Sequence, residues 1–236
     1  MLREQKSDAY LRGVSLDERE SRYFANLRET DEFRFYASVQ RSWCIARAAK
    51  SASLTLSLLP PARREQLLDE WVDAGAGASS FHGVEAELFL DFIARQLTDP
   101  SHELTVCRFE RATLRARSGA TNFVAPDLSA LQDPDCLLRR GSYAELVSFY
   151  TDPDQLVNAV QNQEPLPDLP VMLVMFSPGF PRLCTEPTPE EVSIWEALAT
   201  PASVRTLLDE HHSLTMLEAL LSHGVIEATH ETSFSS

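Results

Sequence analysis

Residues 171–198 have the sequence VMLVMFSPGFPRLCTEPTPEEVSIWEAL, and strand-like patterning changes to helical patterning within them. An apolar run of strand length, residues 171–176, ends at a Pro-Gly turn. Residues 182–185 have the length of a further short strand. Thr188 then offers a helix cap, Pro189 suits the first helical position, and two glutamates follow in the first turn. The stretch predicts two short strands around a turn, followed by a helix.

The flanking sequence extends this pattern in both directions. Residues 144–150 are strand-like, and Asp152-Pro153 can begin a short helix after them. Downstream, two more short helical segments end at Gly224, a typical helix stop, and residues 225–228 can form a closing strand. Residues 143–228 therefore predict two or three strands, three helices and a last strand, the order of a small winged-helix-like module.

The first half of the chain is helical in its pattern. Apolar side chains recur at the spacing of an amphipathic helix from residue 33 onward, and Pro-containing breaks separate the helices that follow. The first of these helices carries Phe33, Tyr36, Ala37, Gln40, Trp43, Ala46 and Arg47 at this spacing. We expect an α+β protein with a polar arm or short helix (1–30), a helical bundle (31–117), a linker (118–142), the winged-helix-like module (143–228) and a tail (229–236).

Charge and composition argue against several classes of function. The 236 residues carry a net charge of −14, and residues 188–236 hold eight carboxylates and one arginine. Such a module repels a nucleic-acid backbone. The charged amino terminus leads into no signal-peptide core, and no apolar run reaches the roughly 20 residues that span a bilayer. These features predict a cytoplasmic protein that does not bind nucleic acid or a membrane.

Motifs for chemistry are missing from the sequence. The four cysteines contain no CxxC pair, and the six histidines form no HxH, HxxH or HExxH motif. There is also no GxSxG, Walker A or GxGxxG motif. We therefore predict no catalytic residue, no metal site and no cofactor in this chain.

Two surfaces are candidates for binding. Arg108, Arg111 and Arg115 share one helix face, which is either a solvated face paired with Glu110 or a docking surface for an acidic partner. Residues 182–185 form a possible strand edge to which a peptide can add, with its side chains against the last helix. The alternative is that this edge binds nothing.

Three short pieces carry a family resemblance: the Pro-Leu-Pro link at residues 165–167, the Ser-Pro-Gly-Phe turn at 177–180, and the ending at 221–227. With the helical first half, they make residues 31–228 resemble the partner subunits of the DUF692 family of iron enzymes. Members of this family act in methanobactin biosynthesis and, with closer similarity, in 3-thiaglutamate biosynthesis.

The resemblance implies a function. In that family a separate barrel subunit holds the iron and oxidatively modifies a cysteine of a ribosomally made precursor peptide; in 3-thiaglutamate biosynthesis it excises the β-carbon of a C-terminal cysteine. The partner binds the peptide's leader and docks on the iron enzyme as a heterodimer. By position, the leader would lie along Arg182, Leu183, Cys184 and Thr185 and along the last helix, which carries Leu217, Leu220 and Leu221. Docking would use the three arginines.

Two other functions compete with this one. A transcription regulator with a helical sensor domain would need a basic recognition helix, and the last helix has Glu218 but no Lys or Arg. A stand-alone thiol enzyme would need a cysteine beside a base, and sequence spacing leaves this open.

Overall fold

A computed structural model describes residues 17–74, 82–166, 168 and 171–229. The protein is α+β, with helices and small antiparallel sheets. The chain divides into two compact units, residues 1–96 and 97–236. Within the described ranges, no helix is long and apolar enough to cross a bilayer.

The described part of the first unit contains helices. Their bounds are α1 (Glu18–Glu29), α2 (Asp31–Ser51), α3 (Ser53–Leu58), α4 (Pro61–Asp73) and α5 (His82–Ala94). Pro61 opens α4, where proline suits the first helical position, and the indole of Trp71 lies 5.3 Å from the ring of Phe89 on α5. Phe89 and Ile93 are fully buried. These aromatic and aliphatic contacts form the core of the unit. Ser80 precedes α5 and is a residue type that commonly caps helices, but it lies outside the described residues.

Helix α2 does not bury the face on which its aromatic side chains recur. The helix buries Cys44 and Ala48, whereas Tyr36 and Trp43 are exposed. Arg41 points toward α4, where it pairs with Asp69 and Asp73. Small side chains allow helices to approach closely, and an inward arginine is tolerated because two carboxylates meet it. The helix was predicted correctly, but its apolar spacing did not identify its core face.

The second unit combines helices with two sheets. Its elements are α6 (His102–Ala120), a 3-10 helix (Leu128–Gln132), β1 (Leu137–Arg140), β2 (Glu145–Phe149), α7 (Pro153–Asn162), β3 (Met172–Phe176), β4 (Cys184–Thr185), α8 (Pro189–Ala197), β5 (Ala202–Ser203), α9 (Val204–Asp209), α10 (Leu214–Ser222) and β6 (Ile226–Thr229). The predicted caps are present: Asp152 caps α7, Thr188 caps α8 in a capping box, and Gly224 follows α10 with φ of 70°.

One sheet has the order β2-β3-β4 and packs on α6. Ala112 and Ala116 of α6 are fully buried against Val147 and Phe149 of β2, and Phe176 of β3 joins them. Alanines leave room for the aromatic rings, so that helix and sheet approach closely. On the opposite face of this sheet, Met175 packs into a second core, which the last three helices help to form.

The other sheet has the order β5-β1-β6, with β1 in the centre. Its core is made with the last three helices, and Leu138, Ile194, Leu207, Leu217 and Ile226 are fully buried in it. The sheet therefore takes its middle strand from a segment that precedes β2, β3 and β4 in the chain.

The structure differs from the predicted linker at residues 118–142. This segment contains the 3-10 helix and β1, and α6 belongs to the second unit instead of the first. Gly141, within this segment, occupies a position where two backbones approach closely. Gly141 donates from its N–H to the carbonyl of Val225 over 2.8 Å, so the two backbones approach too closely for a side chain.

The turn after β3 generates a stability prediction. Gly179 donates to the His223 carbonyl oxygen over 3.1 Å, and a Cβ on Gly179 would overlap that oxygen. We expect Gly179→Ala to lower the free energy of unfolding by about 1–3 kcal/mol, because the neighbouring backbone must move. Urea denaturation followed by circular dichroism measures the loss.

Arg182→Ala is the control near the same turn, because the Arg182 side chain is exposed. Substitutions of exposed side chains usually change the free energy of unfolding by less than about 0.5 kcal/mol. Equal destabilisation by both variants would show that the turn does not depend on the close backbone approach.

Candidate functional site

The edge at residues 182–185 is narrow. Only Cys184 and Thr185 are in strand conformation, because Leu183 has a φ of 63° and turns the backbone before them. Thr185 faces Met175 in the register, and the Leu183 carbonyl accepts from Ser177 N–H over 2.9 Å. Since neighbouring residues of a strand point their backbone groups to opposite edges, Cys184 alone presents both its N–H and its C=O outward.

The three leucines of the predicted groove are core residues. Leu217, Leu220 and Leu221 are at most 1% exposed and pack in the core of the β5-β1-β6 sheet. Leu183 and Cys184 instead pack against the cluster on α6. The structure does not bring the two halves of the predicted groove together on one open surface.

The outer edge of β6 is a second candidate strand edge. Gly141 N–H bonds to the Val225 carbonyl, and the register pairs Arg139 with Glu227. By the alternation of an antiparallel ladder, Glu227 and Thr229 bond toward β1, and Ile226 and Ala228 point away from it. Among the residues that the structure describes, no strand pairs with that outer edge. Ile226 is fully buried and Ala228 is partly exposed, so Ala228 is the residue at which this edge is accessible.

The sequence predicted the strand at this place but not its position in a sheet. The turn at Gly224 and the short Val-Ile-Glu-Ala run were enough to place β6 after α10. Which of its edges is open depends on β1, since β1 occupies the opposite edge. No local pattern contains that information.

The three arginines of α6 bind within their own unit. Arg108 donates to the Ser148 carbonyl over 3.3 Å and to the Tyr150 hydroxyl over 3.1 Å, and it pairs with Asp99. Tyr150 also donates to Asp99.

The other two arginines contact residues 142–145. Arg111 pairs with Glu145, and Arg115 donates twice to the Ser142 carbonyl, over 3.2 and 3.0 Å. These contacts hold α6 against β2 and the residues that precede it, and partner docking by the three arginines stays a prediction.

The thiols are poor candidates for nucleophiles. Cys44 and Cys107 are buried. Burial raises the pKa of Cys184, and Asp154 adds to the rise while Arg182 opposes it. Burial and nearby Asp133 likewise raise the pKa of Cys136. A raised pKa leaves less thiolate near neutral pH, which disfavours the stand-alone thiol enzyme.

A metal site would need several ligands in one place. Within the described part of the chain, no group of three or more His, Cys, Asp or Glu side chains has the geometry to hold an ion. The His223 side chain makes other contacts. Its Nδ1 lies 2.8 Å from the Ala219 carbonyl oxygen, and the centre of its ring lies 5.0 Å from that of Phe180.

The contact between Arg111 and Glu145 makes a prediction. Both side chains are largely buried, so we expect Arg111→Glu to lower the free energy of unfolding by about 2–4 kcal/mol, because two carboxylates would then face each other. The double variant Arg111→Glu with Glu145→Arg should recover part of the loss in urea denaturation.

Arg117→Glu is the control on the same helix, since Arg117 is exposed near the carboxyl end of α6. Its reversal should cost less than about 1 kcal/mol through the helix dipole. If Arg111→Glu were no more destabilising than this control, the arginine stripe would be free for other contacts.

Comparison with known proteins leaves the family open. None of the models of known protein families matches the chain, and a search of curated proteins returns no match either.

Proposed function

We propose that this chain is a non-catalytic, cytoplasmic partner subunit that binds the leader of a ribosomally made precursor peptide. It docks on a DUF692-type iron enzyme, which oxidatively modifies a cysteine of that peptide. The sequence resemblance suggests the enzyme class. The observation that carries the binding role is the outer edge of β6, which is accessible at Ala228 and ends a module of three strands and three helices.

The module has the order of a winged helix in this proposal. The chain runs α8, β5, α9, α10 and β6, and β1 supplies the third strand between β5 and β6. The winged-helix-like module therefore includes residues 137–140, upstream of the predicted boundary. Residues 145–185 are inserted between β1 and the helices and build the second sheet on α6.

Strand addition is the binding mode that this edge favours. Ala228 is partly exposed and offers one N–H and one C=O to an extended peptide, about two backbone hydrogen bonds, whereas Ile226 is fully buried. At a net 0.5–1.5 kcal/mol each, these supply roughly 1–3 kcal/mol. Micromolar affinity needs about 8 kcal/mol, so side-chain contacts of the leader must supply the remainder.

The charge near β6 favours some leader peptides over others. Helix α10 lies beside β6 and carries Glu218 but no basic residue. The acidic surroundings favour a leader with Lys, Arg or apolar side chains and repel a nucleic acid. The same feature weighs against the transcription regulator, which would need its basic residues on this helix.

The chemistry belongs to the other subunit in this proposal. The iron would supply the oxidation, and this chain would position the peptide so that its cysteine reaches the iron enzyme. In the closest resemblance, that reaction removes the β-carbon of a C-terminal cysteine in 3-thiaglutamate biosynthesis. The role of the present chain is binding and orientation, and it needs no cofactor of its own.

Co-expression tests the proposal. The chain would be produced with the iron-barrel protein encoded nearest to it, purified through a tag on the chain, and analysed for metal in each separated subunit. We expect a stoichiometric complex with iron in the barrel subunit. A chain that stays alone, or that carries the metal itself, would overturn the proposal.

The β6 edge gives a sharper prediction. Ala228→Pro removes the outward N–H, and proline is tolerated on a strand edge whose N–H faces away from the sheet. We expect at least about tenfold weaker binding of the labelled precursor peptide, because one backbone bond is lost and the ring blocks the edge. Fluorescence anisotropy measures the change.

Ala228→Ser is the control because it keeps the N–H, and its Kd should remain within about twofold. Thermal unfolding of both variants checks the fold. Unchanged peptide binding by a folded Ala228→Pro variant would show that the peptide does not add at β6.

A further inference from the structure

Helix α2 exposes a stripe of large apolar side chains. Phe35 is 64% exposed, Tyr36 70%, Val39 51% and Trp43 52%. At 100° per residue these four positions fall within one third of the helix circumference. We call them the α2 stripe. It lies opposite the face that α2 packs into the core of its unit, and large apolar side chains in such an exposed row mark a contact surface.

The stripe is uncharged in the middle and has opposite charges at its two ends. Between residues 35 and 46 the one charged side chain is Arg41, which turns inward to two carboxylates of α4. Glu32 lies before the stripe and Lys50 after it, and both are exposed. By the same 100° geometry, both fall in the third of the circumference that the stripe occupies.

These positions are arranged symmetrically about residue 41. Glu32 lies nine residues before it and Lys50 nine residues after it, while Val39 and Trp43 lie two residues to either side. When two copies of α2 pack nearly antiparallel about a two-fold axis at this level, each position meets the one equally far on the other side, and every contact occurs twice. Glu32 of one copy then faces Lys50 of the other, and Val39 faces Trp43.

Side-chain size follows the same symmetry. Tyr36 lies five residues before residue 41 and Ala46 five residues after it, and both are exposed on the same face. A large ring therefore meets a small side chain in the antiparallel pair, which lets the two helices approach closely. A surface that binds its own copy must be complementary to itself, whereas an unrelated protein imposes no symmetry on it. The symmetry of α2 therefore favours a second copy.

The unit that carries the stripe is nearly neutral. Residues 1–96 hold 13 Lys or Arg and 15 Asp or Glu, a net charge of −2. Residues 97–236 carry the remaining −12 of the chain. Two copies of the first unit therefore meet little net repulsion, and the ion pairs at the ends of the stripe favour their approach.

Trp43 is held in place before any contact forms. The Arg47 guanidinium lies 4.3 Å from the centre of the indole. Arg47 in turn pairs with the buried Glu85 of α5, with Nη2 2.6 Å from Oε2. An aromatic side chain that is already fixed loses little conformational entropy on binding, which is the property of an interface anchor.

The exposed area suits the centre of a dimer interface. With about 150–250 Å² for each aromatic side chain, the three rings and Val39 expose roughly 400 Å². Each copy in a dimer of standard size covers about 800 Å², in an apolar core surrounded by a polar rim. The stripe supplies about half of this area. Exposed Ser42, Glu32 and Lys50 border it and supply part of the rim.

We propose that the chain forms a two-fold dimer through the α2 stripe, with the two α2 helices packed antiparallel. The inference goes beyond the proposed function and does not depend on it, because β6 belongs to the other unit.

One substitution at the centre of the stripe tests the inference. Val39→Glu places a carboxylate against Trp43 of the other copy, twice in each dimer. The matched control is Val84→Glu, the same change at a position of α5 that is 59% exposed in the same unit. Sedimentation equilibrium of the full chain measures the dimer dissociation constant, and thermal unfolding checks that both variants fold.

We expect the unmodified chain to dimerise at concentrations below about 100 μM. The Val39→Glu variant should dimerise at least about 100-fold more weakly, because a buried unpaired charge is costly, and the control should stay within about threefold. An unmodified chain that stays monomeric at that concentration would overturn the inference, and so would a dimer that Val39→Glu leaves intact.

Charge reversal at the ends of the stripe tests the antiparallel arrangement. Glu32→Lys or Lys50→Glu alone should weaken the dimer by about three- to tenfold, since like charges would replace two ion pairs at the rim. An equimolar mixture of the two variants restores opposite charges at both ends, so it should dimerise about as tightly as the unmodified chain. A mixture that dimerises no better than either variant alone would overturn the antiparallel pairing.

The remaining outcome concerns a different occupant. If the chain is monomeric and a complex with another protein is lost in Val39→Glu but kept in Val84→Glu, the stripe belongs to that protein. This result would overturn the dimer.

Discussion

The corner at residues 223–225 is the constraint on which the second unit depends. The His223 carbonyl accepts from the Ser177 hydroxyl over 2.6 Å and from the Gly179 N–H over 3.1 Å. The Val225 carbonyl accepts from Gly141. The turn after β3 and the end of β1 therefore meet at the same corner. Because β6 starts directly after it, this corner sets the register of β6 on β1 and leaves the opposite edge of β6 outward.

Local signals predicted the elements of this unit well. Asp152, Thr188 and Gly224 place two helix starts and one helix end by capping chemistry that lies within a few residues. Strand pairing, unlike helix capping, depends on residues that are far apart in the chain. β1 and β6 are almost ninety residues apart in the chain, and nothing near Leu137 or Ile226 records that they meet. For this reason β1 lies in a segment that the sequence predicted as a linker, and the strand edge and the helix face predicted to bind the leader pack into different cores.

Helices α2 and α10 show the same difference between what local sequence predicts and what it does not. The helical repeat predicted α2 and α10, but periodicity gives only the relative positions of side chains. On α10 the leucines face the core, as apolar repeats usually do. On α2 the larger side chains face outward, and two small residues face the core. Only the neighbours of each helix distinguish these cases. The arginines of α6 could not be assigned from sequence either, because their acceptors include backbone carbonyls.

The β6 edge of the proposed function offers backbone hydrogen bonds worth only a few kcal/mol, so a leader held there through its backbone alone would dissociate readily. For a subunit that presents one peptide after another, such weak binding is an advantage, since the modified peptide must leave before the next one can enter. Affinity and specificity for a particular leader must therefore come from its side chains, which a strand edge contacts on the two faces of the sheet.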